Sequence, residues 1–256
     1  MPGKDTKGGT PMEQQIEKRL AEMAQRSWNR GIPCYTDFLD LSEQSALARI
    51  RKQLPPVPVL LFGGAEGCER RMAGFGAEDA SGFPVACLRI TPSGAKFGEP
   101  LGHRDVLGSL MSLGFDRSLL GDIVLREDGI WLFCTERIAG FIEENLLSVR
   151  KTTVHCRRAD APPEGELYHL RRQVVQVASP RLDALVAHAF HLSRGEAQSL
   201  FPSGRVFLDG AECARTDAEP AAGQIVSVRG MGRFRFLELA SQSKKGKWNA
   251  VLGIYE

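Results

Sequence analysis

Near the end of the chain the stretch "VSVRGMGRFRFL" (226–237) sets Arg229, Arg233 and Arg235 within seven positions, with Phe234 and Phe236 between them. Guanidinium groups clamp phosphates through two parallel hydrogen bonds, so this spacing suits a polyanion. Strand periodicity puts Phe234 and Phe236 on one face and the arginines on the other. The glycines at 230 and 232 let a backbone approach closely. Residues 229–247 hold six basic side chains, Lys244, Lys245 and Lys247 among them, against Glu238 alone. The whole excess of the net charge of +2 lies in residues 179–256, with 10 basic and 8 acidic side chains. A local basic cluster is the electrostatic footprint of nucleic acid binding.

Other candidates are weaker. Gly63, Gly64 and Gly67 invite a phosphate loop, but neither Gly-x-Gly-x-x-Gly nor the P-loop lysine is present, so a tight turn is the better reading. His103-Arg104-Asp105 echoes a kinase catalytic loop without its partner motifs. It reads as a helix start used for packing or an RNA contact. His188 and His191 stand one helical turn apart but have no Cys or Glu partner, which favours a surface role. The six cysteines form no Cys-x-x-Cys pair, so no metal is expected. Reduced thiols and a start without an apolar signal region point to the cytoplasm. No stretch is apolar enough to insert in a membrane.

These residues need elements to hold them. The first 14 residues read as a tail that ends in a capping box, Thr10 to Glu13, opening a helix at Pro11. A second helix starts at Ser42 and ends before Pro55-Pro56. "PVLLFGG" (58–64) is a buried strand and a glycine turn. Residues 84–91 (strand), 103–114 (helix), 122–128 and 129–135 (paired strands), 136–147 (helix) and 151–158 (strand) follow in the order of the split βαβ, ferredoxin-like pattern. RNA-recognition modules share that order, and Trp131 and Phe133 fall on one face of its third strand. They suit either a base-stacking platform or core, and core is favoured. Residues 158–166 read as a polar linker, exposed to proteases.

In the last unit Ser179-Pro180 opens a helix, Ser193 and Glu196 form a capping box, and Asp209-Gly210 makes a type I′ hairpin turn. The chain is therefore α+β. It divides into an N-terminal helical and α/β region (1–80), a ferredoxin-like domain (81–165) and a C-terminal domain with a basic extension (166–256).

Arg181-Leu182-Asp183, Leu185, Ser193-Arg194, Ala197, Gly204, Val206, Gly210, Gly223 and Ile225 resemble the pattern of the S-four RNA-binding domain of ribosomal small-subunit protein four. Asp209 stands where the pattern has asparagine, and Gln224 where it has aspartate. "FLDLSEQ" (38–44), "FGGAEGCERR" (62–71), "LGHRDVLGSLMSLGFDRSLLGDI" (101–123) and "VRGMGRFRF" (228–236) resemble signatures of the YlmH family of bacterial S-four proteins. The resemblance implies a non-enzymatic factor that binds structured RNA. It also implies ribosomal large subunits still carrying peptidyl-tRNA, in rescue of stalled translation, as the target. Ribosomal RNA, transfer RNA and a division protein are the partners that travel with it.

On that resemblance, Arg181, Ser193, Arg194, Gln198, Ser203, Arg205, Arg229 and Arg233 are the expected RNA contacts, with Arg194 foremost. The rivals are an RNA-modifying enzyme and a division scaffold. A pseudouridine synthase would need Thr/Ser-x-Gly after Arg181-Leu182-Asp183, and Ala184-Leu185-Val186 follows instead. Asp183 then belongs to the first turn of a helix, where its charge complements the dipole. A methyltransferase would need further strand–helix units beyond residue 256.

Overall fold

The computed structural model describes residues 11–94, 101–242 and 246–255. Thr10, the first residue of the expected capping box, lies outside them, as do Lys244 and Lys245. Helix and strand are mixed throughout, an α+β chain, in two compact units that divide between Leu167 and Tyr168.

The first unit opens with α1 (Pro11–Arg30), followed by β1 (Cys34–Tyr35), α2 (Leu41–Ile50), β2 (Val59–Phe62) and β3 (Met72–Phe75). The three strands form one sheet in the order β1-β3-β2. Leu20 and Ala24 of α1, Leu47 and Ile50 of α2, and Ala73 and Phe75 of β3 close a small core. α2 is capped by Asp40, whose carboxylate accepts from the Glu43 amide while Glu43 accepts from the Asp40 amide. The helix thus begins just before Ser42, because aspartate satisfies the free amides.

The unit continues with β4 (Val85–Pro92), α3 (His103–Ser112), β5 (Leu120–Arg126), β6 (Gly129–Thr135), α4 (Glu136–Asn145), β7 (Ser148–Val149) and β8 (Thr152–Arg158). The antiparallel sheet runs β5-β6-β4-β8-β7. One face carries Leu88, Ile90, Leu132, Cys134, Val154 and Cys156, buried under Val106 and Leu110 of α3 and Ile138, Ala139 and Ile142 of α4. The other face alternates with it, as strand geometry requires.

Half of that other face is covered by the N-terminal segment. Phe133 is fully buried, and a Cβ on Gly64 would overlap its ring. A Cβ on Gly121 would stand 2.7 Å from Phe38 and 3.0 Å from Phe133. Trp131 is 8% exposed, with its indole N–H donating to Asp128 and the Arg89 guanidinium 5.5 Å over its ring. Both aromatics are core, not a base-stacking platform.

The glycines of 62–71 serve this closure. A Cβ on Gly63 would overlap Cys68, and Gly64 and Gly67 have φ of +106° and +85°. The buried Asp122 accepts from the backbone amides of Glu69 and Arg70. The Arg70 guanidinium donates to the carbonyls of Phe38, Arg117 and Leu120. The motif is a clasp, which accounts for its glycines without a nucleotide. The expected linker is held at its end: Arg126 donates to the carbonyls of Glu164 and Glu166, and Leu167 is buried. Residues 160–162 and 164–166 are exposed.

The second unit comprises β9 (Leu170–Val177), α5 (Leu182–Ala189), α6 (Arg194–Ser199), β10 (Val206–Leu208), β11 (Ala211–Glu212), β12 (Ile225–Val228), β13 (Gly232–Gln242) and β14 (Trp248–Tyr255). Its sheet runs β11-β10-β12-β13-β14-β9. Leu182, Leu185 and Val186 of α5 and Ala197 of α6 pack on Val226, Val228, Phe234, Phe236 and Leu252. α5 begins at Leu182 with Arg181 as N-cap, so Pro180 precedes the helix instead of opening it.

Candidate RNA interface

The N-terminal ends of α5 and α6 meet at one carboxylate. Asp183 is fully buried. Arg181 reaches it from the N-cap with Nε 3.2 Å from Oδ1 and Nη2 3.3 Å from Oδ2. Arg194, the first residue of α6, brings Nε and Nη2 to 3.4 and 3.3 Å of Oδ2. Gln198, one turn on, donates to Oδ2 at 2.9 Å, and the Ala184 amide donates to Oδ1 at 2.9 Å. Burial by itself would raise the Asp183 pKa. The hydrogen bonds from Gln198 and Arg181 and the charges of Arg181 and Arg194 outweigh it and hold the carboxyl below the usual range.

Three of the eight expected contacts, Arg181, Arg194 and Gln198, are thus gathered on a residue read only as a dipole partner. Their engagement does not hide them, for the Arg194 side chain remains 63% exposed. A guanidinium with one edge on a buried carboxylate is fixed, with other N–H groups left for a second anion. Ser193 caps α6: its hydroxyl accepts from the Glu196 amide, and Glu196 accepts from the Ser193 amide. Ser203 donates to the Leu200 carbonyl in the turn after α6.

The other three expected arginines do not join this group. Arg205 donates through Nε and Nη2 to the Arg229 carbonyl at 3.1 and 2.7 Å. A Cβ on Gly230, at φ +83°, would lie 3.1 Å from that guanidinium, so the glycine serves the turn and Arg205. Arg229 lies 5.1 Å over the Phe207 ring. Arg233 lies 4.0 Å over Tyr255 and 5.7 Å over Tyr168. Phe234 and Phe236 are buried under the helices, so Arg233 and Arg235 take the opposite face of β13, as alternation predicts. Arg235 donates to the Tyr255 hydroxyl at 2.9 Å. The expected contacts thus have two kinds of partner: the Asp183 carboxylate at the helix ends, and aromatic rings under Arg229 and Arg233 on the sheet. Tyr168, Tyr255 and Phe207 went unread because the segments that carry them, the approach to β9, β14 and β10, meet only in the fold.

The two departures from the S-four pattern meet each other. The Gln224 amide donates to Asp209 Oδ2 at 2.8 Å, and the Ile225 amide donates to Oδ1 at 2.8 Å. Acid and amide have exchanged places, and the turn interaction is kept. Asp209 and Gly210 have φ of 45° and 75°, as a type I′ turn requires.

The histidine pair and the kinase echo both sit at helix ends. α5 ends at Ala189, and His191 has φ 54°, so His188 and His191 do not share a helical face. Asp105 accepts from the Gly102 amide at 2.9 Å as part of a helix cap. Among the described residues no group of His, Cys, Asp and Glu is placed to hold a metal, and no helix is long and apolar enough to cross a membrane.

Comparison with known proteins agrees with the signatures. Residues 79–162 match the family model described as "Putative RNA-binding domain in YlmH". The chain is 30% identical over 221 residues to "Ribosome-associated protein quality control protein P2" of Bacillus subtilis (strain 168), covering 84% of this chain and 85% of that protein. A solved structure, "Cell division protein ylmH from Streptococcus pneumoniae", aligns at 17% identity with a TM-score of 0.48, over 61% of this chain and 96% of that one. With the relative matched over most of both chains, this protein belongs to the YlmH family.

Proposed function

We propose that this protein binds structured RNA at the ribosome and works without catalysing a reaction. Its target is ribosomal or transfer RNA on large subunits that carry peptidyl-tRNA after stalled translation, in the cytoplasm. The relative's name supports the ribosomal setting, and the family model supports RNA. In this reading residues 1–80, 81–165 and 166–256 are three domains, the second ferredoxin-like and the third an S-four domain.

The observation that carries the reading is the helix-end cluster. Arg181, Arg194 and Gln198 are held by Asp183, so little side-chain entropy remains to be lost on binding a phosphate. The same carboxylate argues against the rival pseudouridine chemistry. A fully buried aspartate holding three side-chain donors is not placed to attack a base.

Binding of the intact chain to isolated large subunits tests this. Arg194→Ala should weaken it by about 1.5–3 kcal/mol, the scale of a charge-assisted hydrogen bond, and lower the salt slope by roughly one phosphate. Arg194→Lys should recover part of the loss, since an ammonium keeps the charge but not the fork. Unchanged affinity and slope in Arg194→Ala would place the binding surface elsewhere.

A further inference from the structure

The family match assigns RNA binding to 79–162, yet the aromatic half of that sheet face is closed by Phe38 and Gly64. The other half is open. β8 alternates strictly: Val154 and Cys156 are buried under the helices, and Arg158 pairs with Glu136 on that side at 2.7 Å. Thr153, His155 and Arg157 point the other way and are exposed, and Lys151 extends the row at the hairpin tip. Register confirms the side. Arg157 is opposite Arg89, which stands over Trp131, and His155 is opposite Thr91. The row carries no carboxylate. Across the sheet, Asp128 is engaged by Arg89 and by the Trp131 indole.

The tip that carries Lys151 is itself unusual. β7 and β8 join through the two residues Arg150 and Lys151, and Arg150 has φ 54°. A glycine or asparagine suits that backbone better. Arg150 instead brings its guanidinium 3.7 Å from Asp105.

We propose that the row Lys151, Thr153, His155 and Arg157 is a second RNA contact, which takes a sugar–phosphate backbone along β8. The row spans about 20 Å at roughly 3.4 Å per residue. Cations at both ends suit two phosphates, the Thr153 hydroxyl can bond a ribose 2′-hydroxyl, and the His155 ring offers a flat face to a base. This extends the reading above to a surface on the other unit, and it rests on that reading.

The test uses the intact chain and isolated large ribosomal subunits over a range of salt. Lys151→Ala with Arg157→Ala should weaken binding about tenfold and reduce the salt slope by roughly 1.4–1.8, two phosphates' worth. Lys151→Arg with Arg157→Lys keeps the charges and should keep the slope. Arg26→Ala with Arg30→Ala, two exposed arginines on α1, removes the same charge from another surface and should change neither quantity. If the β8 double variant binds like that control while Arg194→Ala is weakened, the row is not a contact and the helix-end reading stands. If neither the row nor Arg194 matters, both fall. A drop in affinity that the charge-keeping variant shares equally would also overturn the proposal, since it would point to damaged folding.

Discussion

Two sheets in this protein have the same plan, with two helices over one face and aromatic residues on the other. They use those aromatics oppositely. In the first unit Phe133 and Trp131 are buried, one beneath the N-terminal segment and one beneath Arg89. In the second, Phe207, Tyr255 and Tyr168 lie under Arg229 and Arg233 on a half-exposed face. Strand position alone therefore does not make an aromatic a nucleic-acid platform. What covers the ring decides. A ring buried on all sides, as Phe133 and Trp131 are, is core, and a half-exposed ring under a guanidinium can fix a cation in place.

The contrast can be broken most forcefully at Phe133. Phe133→Ala should cost about 3–5 kcal/mol of stability, the usual range for a buried aromatic. RNA affinity of the protein that remains folded should not change. Denaturant titration alongside binding checks both, and a selective loss of affinity would return Phe133 to the role of platform.

Asp183→Ala comes next. It leaves the Gln198 amide and two guanidinium groups without their common acceptor, at a cost of about 2–4 kcal/mol. The pH dependence has a definite sign. The folded pKa of Asp183 is depressed, so its stabilisation is present above the unfolded value near 3.9 and is lost as pH falls through the folded value. Acid titration of wild type and Asp183→Asn should show that this part of the slope vanishes in the variant. Identical acid transitions would show that the cluster does not hold the second unit together.

The smallest effect is expected at the exchanged turn. Gln224→Glu sets a carboxylate against Asp209 and should cost about 0.5–1.5 kcal/mol near neutral pH, the net value of the lost hydrogen bond. Adding Asp209→Asn should restore it. A double variant no better than the single would mean that the two positions act independently.

Much of this was legible locally. The alternation of Phe234 and Phe236 with arginine, the Asp209-Gly210 turn and the Ser193–Glu196 cap each follow from residues within a few positions of one another. What escaped was convergence. Residues 181, 183, 194 and 198 come from two helices, and only packing brings them to one carboxylate. The covering of Phe133 depends on Phe38, almost a hundred residues away. The two-residue strands β1 and β7 also escaped, since so short a run has no periodicity to read. The glycines were legible as a tight turn and not as a phosphate loop, but that Gly63 and Gly64 make room for Cys68 and Phe133 was not.

Arg70 has a consequence for the order in which the chain can assemble. Its three carbonyl acceptors lie 32, 47 and 50 positions away, on both sides of it in sequence. During synthesis the segment from Phe38 to Arg70 emerges well before Arg117, Leu120 and Asp122 exist to receive it. Until then a guanidinium destined for burial must stay in water, because no local carbonyl set replaces the missing acceptors. The clasp around Arg70 can therefore be completed only once β5 has been made.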